Sequence, residues 1–135
     1  MTAKELIKEA KIARERSYSP YSRFAVGAAL LASDGRVFYG ANIENAAYSV
    51  TCCAERVALF AAVSAGVREF KAIAIVGGEA GKEAVNACYP CGVCRQALSE
   101  FCDGTLAVYV EEAGECHETT LGELLPHSFS KNDLN

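Results

Sequence analysis

Two short stretches of this chain could meet to do chemistry: Cys53-Ala54-Glu55 and, after a long gap, Pro90-Cys91-Gly92-Val93-Cys94. Three thiolates can hold one zinc ion and leave its fourth position open, the arrangement of a catalytic rather than a structural zinc site. Soft sulfur ligands in tetrahedral geometry favour zinc, although thiolates alone do not exclude iron. Glu55 stands two residues from the first thiol. From there it could take a proton from a water activated on the metal and hand it to a substrate.

Three thiolates around a divalent cation leave the site with a formal charge of about −1, which weakens the metal as a Lewis acid. A cation beside the sulfurs would draw that charge off. Arg56, next to the carboxylate, is the first candidate and Arg95 the second. A competing arrangement is a closed four-thiolate structural site, with Cys88 joining Cys53, Cys91 and Cys94. It leaves Glu55 without a role. Cys52 could replace Cys53 as a ligand, but only Cys53 gives the Cys-x-Glu spacing. Cys102 and Cys116 read as buried or incidental thiols. His117 and His127 fall outside both motifs and read as surface or packing residues.

These residues need elements that aim them at one point. Thr51 offers an N-cap for a helix over residues 53–65, closed by Gly66. A second helix is expected over 91–101, with Pro90 at its start, where a missing N–H costs nothing. Cys91 and Cys94, three apart, then face the same way. Helix N-termini lower the pKa of nearby thiols. The first of these helices is apolar on every face after Arg56, Val57-Ala58-Leu59-Phe60-Ala61-Ala62-Val63. One side can cover a sheet; the other calls for another subunit.

The remaining elements fall between turn signals. A helix is expected over 2–16, with Thr2 and Glu5 as a capping box. Ser17 to Ser22 is loop. Strands at 24–31 and 37–41 flank the turn Ser33-Asp34-Gly35-Arg36 as a hairpin. A polar loop covers 42–48, a buried strand 72–76, a glycine-rich loop 77–89 and another strand 105–110. A turn at Ala113-Gly114 leads to a short edge strand, and a helix over 120–125 stops at Pro126. Strands alternating with helices imply a layered α/β domain around one mixed sheet.

The chain has 135 residues, enough for one domain, 1–135, with a real core; 51% are hydrophobic, which excludes a disordered chain. The 13 Lys+Arg against 17 Asp+Glu give a formal charge of −4 with no basic run. That points away from nucleic acid and towards a free small molecule. No apolar run approaches the roughly 20 residues needed to span a bilayer, and Met1 to Glu5 lacks the basic and apolar regions of a signal peptide. The expectation is a cytoplasmic protein without a membrane partner, whose seven cysteines are metal ligands or buried thiols rather than disulfides.

Along nearly its whole length the sequence resembles the short-chain, homotetrameric cytidine deaminases. The match runs through Tyr18 to Leu30, Gly40-Ala41-Asn42-Ile43-Glu44-Asn45-Ala46-Ala47-Tyr48, Cys53 to Arg56, Pro90 to Gln96, and Leu124-Leu125-Pro126 with Phe129. The zinc motif is common to many deaminases; the Asn-Ile-Glu-Asn loop is the more specific part. The resemblance implies a three-layer α-β-α sandwich around one mixed five-stranded sheet, and hydrolysis of cytidine and deoxycytidine to uridine and deoxyuridine with release of ammonia, in pyrimidine salvage. Activated water would attack C4 while Glu55 shuttles the proton. It further implies one zinc per subunit, held by Cys53, Cys91 and Cys94, with Arg56 touching the thiolates. Phe24, Asn42, Glu44, Asn45, Ala46, Tyr48 and Ala54 would contact the nucleoside, and Phe129 would reach in from a neighbouring subunit. Asn42 and Glu44 resemble the pair that grips a ribose hydroxyl. The loop 78–89, with its extra Cys88, follows no pattern of that family. A blasticidin-S-type deaminase shares the zinc motif and size, and a non-catalytic zinc module is the rival from another class.

Overall fold

A computed structural model describes residues 1–134. Five strands form one sheet in the order β2-β1-β3-β4-β5: β1 (Phe24–Ala32), β2 (Val37–Ala41), β3 (Phe70–Glu79), β4 (Ala107–Glu112) and β5 (Glu115–Thr120). Only β3 and β4 run parallel; the other pairs are antiparallel, so the sheet is mixed. The hairpins need only short turns, whereas the parallel pair needs a crossover, and helix α3 (Gly92–Phe101) supplies it.

Alternation along the central strands builds the two faces. Ala29, Ala72, Ala74 and Val76 point to one side, where Leu6, Ile7 and Ala10 of helix α1 (Ala3–Arg14) cover them. Ala28, Leu30, Ile73, Ile75 and Val108 point to the other, under Ala54, Ala58, Leu59 and Ala62 of helix α2 (Ala54–Ser64) and Leu98 of α3. The expected three-layer α-β-α sandwich is therefore observed. The small residues on the first face let α1 lie close. A Cβ at Gly27 would stand 2.2 Å from the Ala10 carbonyl oxygen.

Thr2 and Glu5 form the expected capping box: the Thr2 N–H donates to Glu5 Oε2 at 2.7 Å, and the Glu5 N–H donates to Thr2 Oγ1 at 3.2 Å. Of the boundaries that differ from the sequence reading, three bear on the packing. Helix α1 ends at Arg14, because the next N–H groups tighten onto carbonyls three residues back, as in Ser17 to Arg14. The cap of α2 is Cys53, not Thr51; the Thr51 hydroxyl instead accepts the Asn45 N–H at 3.1 Å and closes the 42–51 loop. Strand β3 runs on through Gly77 and Gly78, which pair with Val26 and Ala25. Those glycines read as loop, but their lack of a side chain serves close packing inside a strand. The tail also carries a short helix α4 (Leu121–Leu124) and a 3₁₀ turn over Lys131–Leu134.

Helix α2 seats its first turn on β2. A Cβ at Gly40 would lie 2.2 Å from the Ala54 carbonyl oxygen and 2.5 Å from the Ala58 nitrogen. Its outer face is uncovered: Phe60 is 49% exposed. No helix of the described residues is long and apolar enough to cross a membrane.

Candidate active site

Cys53 caps α2 and Cys91 caps α3, so both thiols sit at helix N-termini; Cys94 lies one turn into α3 and is buried. The Sγ atoms of Cys53, Cys91 and Cys94 all lie within 4.8 Å of one another, with Cys53 to Cys91 at 4.0 Å. Tetrahedral zinc with bonds of about 2.3 Å needs sulfurs roughly 3.8 Å apart, so the cluster fits the ion. Cys88 is outside the cluster, and among the described residues no fourth thiol, histidine or carboxylate completes a closed shell. Both histidines are exposed and elsewhere.

The electrostatics suit a cation. Hydrogen bonding with Cys94 foremost, then with Arg56, pulls the Cys53 thiol down to about 5. The same bond, together with burial, keeps the shared proton on Cys94. A divalent ion displaces that proton on binding. Arg56 donates from Nη2 to Cys53 Sγ at 3.6 Å, and its buried Nε has no hydrogen-bond partner among the described residues. The sulfur contact raises the Arg56 pKa further, so the guanidinium stays charged. Arg95 does not reach the thiols. It donates to the Pro90 carbonyl at 2.7 Å and the Leu124 carbonyl at 2.8 Å, holding the chain just ahead of Cys91. Of the two candidates for charge correction, the geometry keeps Arg56.

Glu55 is buried, only 4% exposed, and burial is the first cause that pushes its pKa up to about 7. A carboxyl near neutrality can both accept and release a proton at working pH.

The 42–45 loop returns beside this centre through bridges of Ile43 to Tyr18 and to Cys52. Asn42 is buried and nearly saturated. Its Oδ1 accepts the Ser17 hydroxyl and the Val26 N–H, and its Nδ2 donates to the Phe24 carbonyl at 2.8 Å. Glu44 accepts the N–H groups of Tyr21 and Ser22 at 2.9 and 3.1 Å and the Ser22 hydroxyl. The Ser22 hydroxyl is also the leading cause that holds the Glu44 carboxyl below its usual range. One N–H of Asn42 and one lone pair of Glu44 remain. Asn45 closes a local turn by accepting the Ala47 N–H at 2.8 Å. Ala46 and Tyr48 are exposed, and Tyr48 leans on Tyr21 with ring centroids 6.0 Å apart. A cavity lined by Tyr21, Ser22, Glu44, Tyr48 and Thr51 opens here. Ala54 is buried, Phe24 is 44% exposed, and Phe129 is 60% exposed with its carbonyl bonded by Gln96 Nε2 at 2.9 Å. Ser17, Ser22 and Arg14 are the positioning residues that sequence reasoning missed. Ser17 sat in a stretch legible as a helix breaker, Ser22 lay within the family match but with no role of its own there, and Arg14 looked like one more exposed helix charge.

Three thiols at two helix starts, a buried carboxylate beside them and an α-β-α sandwich underneath define the zinc-dependent deaminase class. The family model for the "cytidine and deoxycytidylate deaminase zinc-binding region" matches residues 1–110. A curated cytidine deaminase of Sporosarcina psychrophila is 54% identical over 136 aligned residues, covering 100% of this chain and 96% of the relative. The crystal structure of cytidine deaminase from Burkholderia pseudomallei superposes with a TM-score of 0.87 at 49% identity, covering 96% of this chain and 100% of that one. A blasticidin-S deaminase of Bacillus cereus is a more distant relative, 33% identical over 110 residues, covering 79% of this chain and 78% of its own. The chain belongs to the cytidine deaminase family, and zinc is that family's metal.

Proposed function

We propose that this chain, acting as one domain over residues 1–135, hydrolyses cytidine and deoxycytidine at C4, consuming water and yielding uridine or deoxyuridine and ammonia. The observation that carries the reading is Glu55, a carboxyl buried beside the thiol cluster with its pKa raised to about 7. Cys53, Cys91 and Cys94 would hold the zinc, which when bound supplies the Lewis acidity that makes water a nucleophile near neutral pH. Glu55 takes one proton from the attacking water at its carboxylate and passes it to the ring nitrogen; it then takes the second from the hydroxyl formed at C4 and gives it to the departing amine, which leaves as ammonia. Arg56 offsets the negative charge that three thiolates bring.

The nucleoside is held by groups the loops present. A ribose hydroxyl donates to the free lone pair of Glu44 and accepts the remaining N–H of Asn42, the two residues facing one way from extended backbone. Asn45 and Ala46 shape that loop, the Ala54 backbone meets the pyrimidine edge, and the Phe24 ring stands beside the nucleoside. The apolar outer face of α2 and the exposed side chains of Tyr48 and Phe129 support a homotetramer in which Phe129 enters a neighbour's site and Tyr48 works across an interface. A cytoplasmic role in pyrimidine salvage follows from the substrate.

The test is uridine formation by wild type and by Glu55→Gln, with zinc measured in both and blasticidin S run as a competing substrate. The variant should retain its zinc and lose at least about 100-fold in kcat. A Glu55→Gln protein with full zinc and full activity would sink the mechanism.

A further inference from the structure

Loop 80–89 contributes nothing to the roles above, yet it is held firmly. Arg14 donates from Nη1 to the Lys82 carbonyl and from Nη2 to the Glu79 carbonyl, both at 2.9 Å, and from Nε to the Ala25 carbonyl at 2.8 Å. The Ala80 N–H donates to the Arg23 carbonyl at 2.7 Å, and the Ala113 N–H to the Val85 carbonyl at 2.8 Å. One guanidinium thus ties the end of α1, the residue after Phe24 and the start of the loop together. At the far end of the loop, Cys88 turns inward and packs against the core cluster under α2 and α3.

Cys88 lands on a point that three groups share. A Cβ built on Gly77 would meet Cys88 Sγ at 2.7 Å, Phe24 Cε2 at 3.1 Å and Val26 Cγ2 at 3.1 Å. The thiol and the aromatic ring both rest on the bare backbone of β3, which only glycine leaves open. The charges of Glu55 and Cys53 are both felt at Cys88, so this contact lies on the chemical side of the sheet. Burial is the main reason its thiol is pushed up to about 11, and it remains a neutral, compact, polarizable packing group.

We propose that Cys88 is a positioning residue for nucleoside binding: wedged over Gly77, it sets where the Phe24 ring stands. The proposal rests on the reading of Phe24 as the aromatic beside the nucleoside. Cys88 acts through that ring and touches neither metal nor substrate. Removing its sulfur lets the ring settle back. A ring displaced by a fraction of an ångström binds the nucleoside less well while the reacting atoms are left in register.

A double-mutant cycle separates the possibilities. KM for cytidine, kcat, the Kd of the product uridine and the zinc content are measured for wild type, Cys88→Ala, Phe24→Leu and the double variant. Cys88→Ala should raise KM and Kd together by about three- to tenfold, with kcat held within about twofold and zinc retained. In the Phe24→Leu background the same change should have no further effect. Cys88→Ser, which puts back a γ atom smaller than sulfur, should restore part of the affinity. Gly77→Ala, approaching the same point from the strand, should raise KM in the same direction. Unchanged binding in Cys88→Ala while Phe24→Leu weakens it overturns the positioning role, as do additive losses in the double variant. Loss of zinc in Cys88→Ala would make the residue part of the metal centre and overturns it too. If Phe24→Leu alone leaves KM and Kd untouched, the reading of Phe24 fails first, and the proposal with it.

Discussion

Gly40→Ala tests whether the seat of α2 governs the site. The added methyl would stand 2.2 Å from the Ala54 carbonyl oxygen and 2.5 Å from the Ala58 nitrogen, whereas ordinary contact begins at 3.4 Å. Both atoms are helix backbone, so no side chain can rotate away, and the first turn of α2 must move by about 1 Å. Overpacking of this kind costs about 1–3 kcal/mol of stability. The larger effect should be chemical. Cys53 caps that turn and Glu55 lies within it, metal sites tolerate only about 0.2 Å in ligand distance, and a misplacement of about 1 Å can cost about 100-fold in rate. Gly27→Ala is the matched control. Its methyl would be 2.2 Å from the Ala10 carbonyl oxygen and 2.4 Å from the Arg14 nitrogen, an equal clash but on α1, across the sheet. Thermal melting, zinc stoichiometry, kcat and KM are compared at one fixed protomer concentration, because association shifts apparent stability. Both variants should melt earlier, and Gly27→Ala, which presses on Arg14, can raise KM as well; only Gly40→Ala should also lose zinc and kcat out of proportion to its stability. Equal zinc occupancy and equal turnover in the two folded variants would refute the reasoning.

Arg56→Gln removes the charge beside Cys53 while leaving three thiols in place. Turnover should fall by about tenfold or more with zinc content nearly unchanged; unaltered kcat would show that the guanidinium does not tune the metal. Ser22→Ala deletes the hydroxyl that donates to Glu44 and accepts the Phe24 N–H at 3.0 Å. KM for cytidine should rise by about tenfold with little change in kcat, the loss of roughly one charge-assisted hydrogen bond. A KM equal to wild type would mean that Glu44 needs no such support.

Where local chemistry speaks for itself, the sequence was a good guide. The Thr2–Glu5 capping box and the hairpin turn at residues 33–36 are short-range devices and formed as expected. Both thiol motifs fell at helix starts, as the cap and apolar-stripe signals around them implied. What escaped was long-range. Gly77 and Gly78 read as loop residues because a glycine's backbone freedom is visible in one dimension, whereas the sulfur and ring that need its missing Cβ come from residues 88 and 24. Arg14 gave no sign that its guanidinium would bond carbonyls of residues 25, 79 and 82. Arg95 was a candidate for the thiols because it follows Cys94 directly. Adjacent helix positions point about 100° apart, and its fork instead found Pro90 and Leu124.

The periodicity of α2 explains how one helix start holds three opposed demands. Ala54, Glu55, Ala58, Leu59 and Ala62 are its buried stripe, at the spacing of an apolar face. A carboxylate therefore sits in the first turn of a core stripe, where the pattern asks for an apolar side chain. That placement, rather than any special neighbour, is the main source of its raised pKa: desolvation is the first cause, ahead of the negative charge on Cys53. Arg56 is one position further round and leaves the stripe. It is also three residues from Cys53, the separation that returns a side chain to the same side of the helix, so the guanidinium folds back onto the sulfur. Had the arginine stood at 55 and the glutamate at 56, the cation would be buried in the core and the carboxylate turned against a thiolate, each the costlier choice. The order Cys-Ala-Glu-Arg thus follows from the helix geometry: position 53 offers its thiol from the cap, position 55 dries its carboxyl, and position 56 brings its guanidinium back to the sulfur side.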